Sequence, residues 1–141
     1  TSTYTATTHA VSLASRRGWY IDLPMAHGRV TGKPALTAGG TLAFTVNVPT
    51  NVTCDPGGSS WFFALSGTSG GAVSRVVGGN TYYDAGSFLG FALASRPVIV
   101  QTAAGKRALI RMSDKTVENP EVKETAGVAA QWRRVDWRKL N

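Results

Sequence analysis

Among the residues that could do acid–base, nucleophilic or metal chemistry, this chain has eight carboxylates, two histidines and one cysteine beside its serines, threonines, lysines and tyrosines. His9 and His27 stand without a Cys, Asp or Glu at metal-ligand spacing, so no zinc site is expected. No Asp-x-Asp-x-x-Gly run is present, which removes the commonest calcium loop. Glu118, Glu121 and Glu124 recur every third residue and would be neighbours on a helix, where they read as a solvated acidic stripe. Gly67-Thr-Ser-Gly-Gly71 has the look of a phosphate cradle but lacks the Gly-Lys-Ser/Thr ending and a following helix, so it reads as a flexible loop. A serine nucleophile needs a base oriented by an acid, and neither histidine has such an acid nearby in sequence. The expectation is a non-enzyme without a cofactor.

Cys54 is alone and cannot form an internal disulfide. It sits in a Thr-Cys-Asp-Pro-Gly-Gly turn, and three readings stay open: a buried thiol, a reactive thiol, or half of a bridge to a partner outside this chain. Asn51-Val-Thr53 fits the N-glycosylation acceptor pattern. Fifteen Lys and Arg against eight Asp and Glu give a net charge of +7, a field that favours acidic partners. The charges are scattered, as on an ordinary solvated surface: Arg16 and Arg17, then Lys106, Arg107 and Arg111, then Arg133, Arg134, Arg138 and Lys139. In the last group Trp132 and Trp137 are interleaved with Arg133, Arg134 and Arg138. That pattern suits a nucleic-acid or anionic-surface binder, and these three arginines are the candidate binding residues.

The elements that must carry these residues read as β. The chain has 141 residues, fitting one domain or a piece of one; 43% are apolar, enough for a core, and 16% charged with 16 glycines. No apolar run reaches the ~18–20 residues of a membrane-crossing helix. Thr1–Ser15 lacks the basic start and apolar stretch of a signal peptide, so an exported protein would have lost its signal or carry it upstream. Residues 41–48 alternate, with Leu42, Phe44, Val46 and Val48 on one face and Thr41, Thr45 and Asn47 on the other, which predicts a half-buried strand. Trp19, Ile21 and Leu23 alternate with Tyr20 and Asp22, predicting another. Trp61, Phe63 and Leu65 oppose Phe62 and Ala64 in a strand apolar on both sides. Residues 97–101 and 106–112 form a pair joined by Thr102-Ala-Ala-Gly105, and Ala38-Gly39-Gly40 joins residues 34–37 to the strand at Thr41. A last strand is expected over residues 131–140. Residues 66–90 are glycine-rich and predict a long loop with short strands at 73–77 and 90–94. Residues 1–17 form a poorly defined lead-in strand. Asn119-Pro120-Glu121 reads as the start of the one short helix allowed, with Val122, Ala126, Ala129 and Ala130 at roughly helical spacing.

A weak repeat relates residues 34–48 to residues 97–112, each a strand, a glycine turn and a second strand, followed later by a Trp-headed strand at Trp61 or Trp132. Trp19 heads a further one at the start. This is the pattern of antiparallel propeller blades. At ~40–50 residues per blade the chain holds about two blades plus a preceding outer strand, short of the roughly four a ring needs. The expected fold is therefore all-β and antiparallel, a partial β-propeller, with the four tryptophans as packing residues.

Gly18-Trp-Tyr-Ile-Asp-Leu-Pro24 resembles the Gly-Trp-Tyr-(Leu/Ile)-Asp-Leu-Pro motif in the C-terminal region of the PilY/PilC family of type IV pilus biogenesis factors and tip adhesins. In the same order, Gly28-Arg-Val30 is similar to its Gly-Glu-Arg-Val, residues 39–48 to its Gly-then-Phe-Thr strand, and residues 49–61 to its Pro…Cys…Gly-Gly-Ser stretch. Residues 64–70 stand where the family has Leu-Asp-x-x-Thr-Gly, with Ser66 for the Asp. Arg133-Arg-Val-Asp-Trp-Arg-Lys-Leu140 is similar to the closing Arg-Arg-Ile-Ser-Trp-Arg-Glu-Leu, with Asp136 for the Ser. The resemblance implies the C-terminal part of a β-propeller-like domain spanning 1–141, with a role in pilus (fimbrium) biogenesis and cell adhesion. It further implies export to the periplasm, outer membrane and extracellular pilus tip. The implied partners are the remainder of the propeller, minor pilins or tip components, and host or surface ligands. The family's calcium loop has no counterpart here, so calcium control is not implied.

Overall fold

A computed structural model of the chain describes residues 2–9, 11–52 and 57–124, which form ten β-strands and no helix. The centre is an antiparallel pair. β3 (Thr41–Pro49) runs against β4 (Gly58–Ser66) over its whole length, from Thr41 opposite Ser66 to Pro49 opposite Gly58. Period-two side chains split this pair between two apolar layers. Phe44, Val46, Phe63 and Leu65 enter one; Ala43 and Phe62 enter the other. The doubly apolar reading of residues 60–65 is thus borne out.

β3 itself departs from expectation. It is buried on both faces, because Thr41, Thr45 and Asn47 are as inaccessible as the apolar side. A strand covered on both faces must satisfy every polar group it buries. Thr41 donates from Oγ1 to the Lys123 carbonyl at 2.7 Å, and Thr45 from Oγ1 to the Ser95 carbonyl at 3.0 Å.

The central sheet has five strands in the order β1-β7-β4-β3-β2, adding β1 (Thr3–Thr5), β2 (Ala35–Leu36) and β7 (Asp84–Gly90). The expected hairpin into Thr41 is present: Ala35 opposes Ala43, and Gly40 takes φ +84°, a value glycine adopts without steric cost. β5 (Arg75–Val77) and β6 (Asn80–Tyr82) form a small hairpin turning at Gly78 and Gly79, both at positive φ. A second sheet, β10-β9-β8, comprises β8 (Val98–Thr102), β9 (Gly105–Arg111) and β10 (Val117–Glu118). β8 and β9 pair from Val98–Leu109 to Thr102–Gly105, with Ala103 and Ala104 as the turn, as the spacing predicts.

The second sheet lies over the first. Ala108, Ile110 and Met112 of its inner face share a layer with Ala43, Phe62, Ala92, Ala94 and Val122. Fully burying a side chain such as Ile110 contributes ~1.5–3 kcal/mol, so this layer is a main bond between the sheets. On the opposite face of the central sheet, an extended N-terminal arm lays Ala6, Trp19, Ile21, Leu23 and Met25 against Phe44, Val46, Phe63 and Leu65. Among the described residues the fold is all-β and antiparallel without a closed barrel, and two stacked sheets are compatible with neighbouring blades.

Three local expectations differ. Residues 18–23 keep the alternation, with Trp19, Ile21 and Leu23 half-buried and Tyr20 and Asp22 exposed, but form no strand. Their side chains dock on the face of a sheet whose ladder positions belong to other strands. Residues 66–90, expected as a loop, contain β7, which pairs with both β4 and β1. Its Asp-Ala-Gly-Ser-Phe-Leu-Gly composition is poor in β-formers, which hid it. The short strand expected within 73–77 is β5, whereas in residues 91–94 the single pairing is an Ala94–Met112 bridge. Finally, residues 119–124 are extended, not the start of a helix. The Ala108 amide bonds to the Pro120 carbonyl and the Val122 amide to the Lys106 carbonyl, each at 3.0 Å, with Glu121 bridged to Arg107. Pairing along β9 and burial of Val122 outweigh the capping signal. Glu118, Glu121 and Glu124 are therefore not neighbours on a helix. The strand expected over 131–140 lies outside the described residues.

Candidate binding site

Cys54 and the arginine set Arg133, Arg134 and Arg138 lie outside the described residues, as do Trp132, Trp137 and Thr53 of the acceptor pattern. The middle basic set is described, and β9 separates it by alternation. Lys106 is ion-paired with Glu124, whose other oxygen accepts from Thr37 Oγ1 at 3.0 Å. Arg107 donates from Nη1 to the Asn119 carbonyl at 3.2 Å on the opposite face. These contacts are structural: they tie residues 119–124 to β9 and to the β2–β3 turn. Among the described residues, no group of three or more His, Cys, Asp or Glu is placed to hold a metal ion.

The recess with the most varied chemistry is formed by the N-terminal arm. Two anchors hold it. The Ala72 amide donates to the Thr7 carbonyl at 3.0 Å, and Trp19 Nε1 donates to the Gly67 carbonyl at 3.0 Å. Both lie on the turn after β4, which closes through Gly70 N to Ser66 O and Ser66 N to Gly71 O, each 2.8 Å. Gly70 has φ +67°, and a Cβ there would stand 2.4 Å from the Trp19 indole, so only glycine permits this seat. The glycine-rich turn thus forms a close-fitting socket for Trp19.

The two anchors, twelve residues apart in sequence, are thus held on one turn. Between them a turn folds the chain back: the amides of Ser15 and Arg16 both donate to the Ser12 carbonyl, at 3.2 and 3.0 Å. The recess beneath, of about 630 Å³, is lined by His9, Ser12, Ser15, Arg16, Tyr20 and Ser69 with backbone and apolar atoms around them. Among the described residues, no carboxylate lines it. Tyr20 is 88% exposed. Arg16 and Arg17 are indistinguishable in sequence, and the fold separates them: Arg16 lines the recess and Arg17 does not.

Comparison with known proteins adds one relation. The chain is 35% identical over 76 residues, 50% of its length, to a protein of Xylella fastidiosa (strain Temecula1) described as a type IV pilus biogenesis factor PilY1 homolog. The match covers 5% of that protein's length. No family model and no solved structure matches the chain.

Proposed function

We propose that this chain is a non-catalytic structural and interaction module of a type IV pilus biogenesis factor, part of a β-propeller-like domain in an exported, pilus-tip-associated protein. The observation that carries the reading is the 35% identity over 76 residues to the PilY1 homolog. It is supported by the order of the strings from Gly18-Trp-Tyr-Ile-Asp-Leu-Pro24 onward. The architecture suits such a role. Stacked antiparallel sheets give a stiff body, and among the described residues β8 has only β9 as a strand neighbour. An edge of this kind is completed by further chain of the same domain or by an added strand from a pilin-like partner. Cys54 would bridge to a cysteine outside this chain.

The reading is tested by removing the coding segment for these residues from the parent gene in a piliated bacterium and counting surface pili by electron microscopy. The expected outcome is loss of pili and of pilus-dependent surface adhesion, restored by the intact gene. Normal pilus number and adhesion, with the truncated protein present at wild-type level, would overturn it.

A further inference from the structure

We infer that the recess under the N-terminal arm is a binding site for a small ligand carrying a carboxylate or phosphate group. Its volume, about 630 Å³, falls among those of small-molecule sites. Its electrostatics are one-sided. Arg16 and His9 line it, no acidic residue among the described ones does, and Arg16 has no ion-pair partner among the described residues. An arginine without a carboxylate in a concave wall offers a planar fork of donors matched to an oxyanion. Ser12, Ser15 and Ser69 line the same recess, so hydroxyls stand beside the cation to engage the neutral oxygens of a polyol or sugar acid. Tyr20 also lines the recess, and its exposed ring is available for a ligand ring to stack on.

The recess is also built rather than incidental. Both ends of its loop are tethered to one turn, by Thr7 to Ala72 and by Trp19 to Gly67, and Trp19 fills the space that a side chain at residue 70 would need. The Ser12–Arg16 turn fixes where the guanidinium stem leaves the backbone. A backbone held at both ends lowers the ordering cost that weakens binding by a free loop. This inference stands apart from the proposed pilus role, since it rests on the recess alone.

The test is titration of the isotope-labelled full chain, followed by NMR, with three probes: glucuronate, inorganic phosphate, and glucose as the uncharged control. Either anion is expected to give saturable shifts of the Trp19 indole N–H and the Gly70 and Gly71 amides, and glucose none. Response to glucuronate alone assigns a sugar acid; response to phosphate alone assigns a phosphate. Arg16→Gln is expected to weaken binding about tenfold or more, the loss of one charge-assisted hydrogen bond. Arg17→Gln, off the recess, should leave affinity within about twofold. The remainder of the Arg16→Gln spectrum should overlay the wild type and so report an intact fold. Absence of saturable shifts with both anions, equal response to glucose, or unchanged affinity in Arg16→Gln would each overturn the assignment.

Discussion

At the scale of single residues, the most constrained polar group is Asn47. Its amide nitrogen donates to Thr31 Oγ1 at 3.0 Å and to the Ala94 carbonyl at 2.9 Å; its oxygen accepts from the Ala94 amide at 2.8 Å and from Ser60 Oγ at 2.7 Å. Every donor and acceptor of the side chain is used, and the group clamps residues 92–95 between the two sheets. Asn47→Ala would leave the Ala94 amide and carbonyl buried without these partners, at a cost of ~1–3 kcal/mol. Urea denaturation should show that loss, while Asn51→Ala at an exposed position stays within ~0.5 kcal/mol. Asp114 offers a pH signature. Hydrogen bonds from the Thr116 hydroxyl, and then from its amide, hold the Asp114 carboxyl below its ordinary 3.8. A lowered folded-state value means that the contribution is present above the unfolded value and is lost as pH falls through the folded one. The melting-temperature difference between the wild type and Asp114→Ala should therefore be constant near neutrality and shrink below about pH 4. A difference that grows on acidification would contradict it. Residue types alone did not disclose Asn47: in the period-two pattern it belongs to the polar face, and only the second sheet lying over that face turns it into a buried clamp.

At the scale of elements, the hairpins were legible and β7 was not, for one physical reason. The β2–β3 and β8–β9 hairpins combine alternation with glycine at the turn, so both signals point the same way. β7 has neither, because its position demands a small residue. A Cβ on Gly86 would lie 2.7 Å from Cε1 and Cζ of Phe63, on the strand that it pairs with. Gly86→Val should thus destabilise by ~1–3 kcal/mol or more, despite the better strand propensity of valine. Pairing Gly86→Val with Phe63→Leu should recover part of the loss in a double-mutant cycle; additive losses would mean the close approach is not the cause. The segment at 119–124 taught the converse. Asn119-Pro120-Glu121 has the right residues to begin a helix, yet the free side of β9 supplied partners for its backbone and a layer for Val122. Local capping contributes ~1 kcal/mol, less than burying one valine and completing a ladder.

At the scale of the whole molecule, two sheets are joined through one apolar layer. The layer is open to test: Ile110→Ala, at a fully buried site, should cost ~2–5 kcal/mol, a large share of the ~5–15 kcal/mol that stabilises a typical domain. Fold class was legible because composition, alternation and glycine turns agreed across most of the chain. The site under the arm was not. Its lining joins residues near the start of the chain, such as His9 and Arg16, to residues 69–71, and that distance along the chain is closed only by the Thr7–Ala72 and Trp19–Gly67 contacts. The likeness to a pilus biogenesis factor covers 50% of the chain, so the interaction role is the central claim and needs its own measurement. That measurement is cross-linking of the purified chain to purified minor pilins, read out by mass spectrometry. The account predicts specific cross-links at reproducible positions, competed away by unlabelled chain. Cross-links no more frequent than with an unrelated basic protein of the same charge would contradict it.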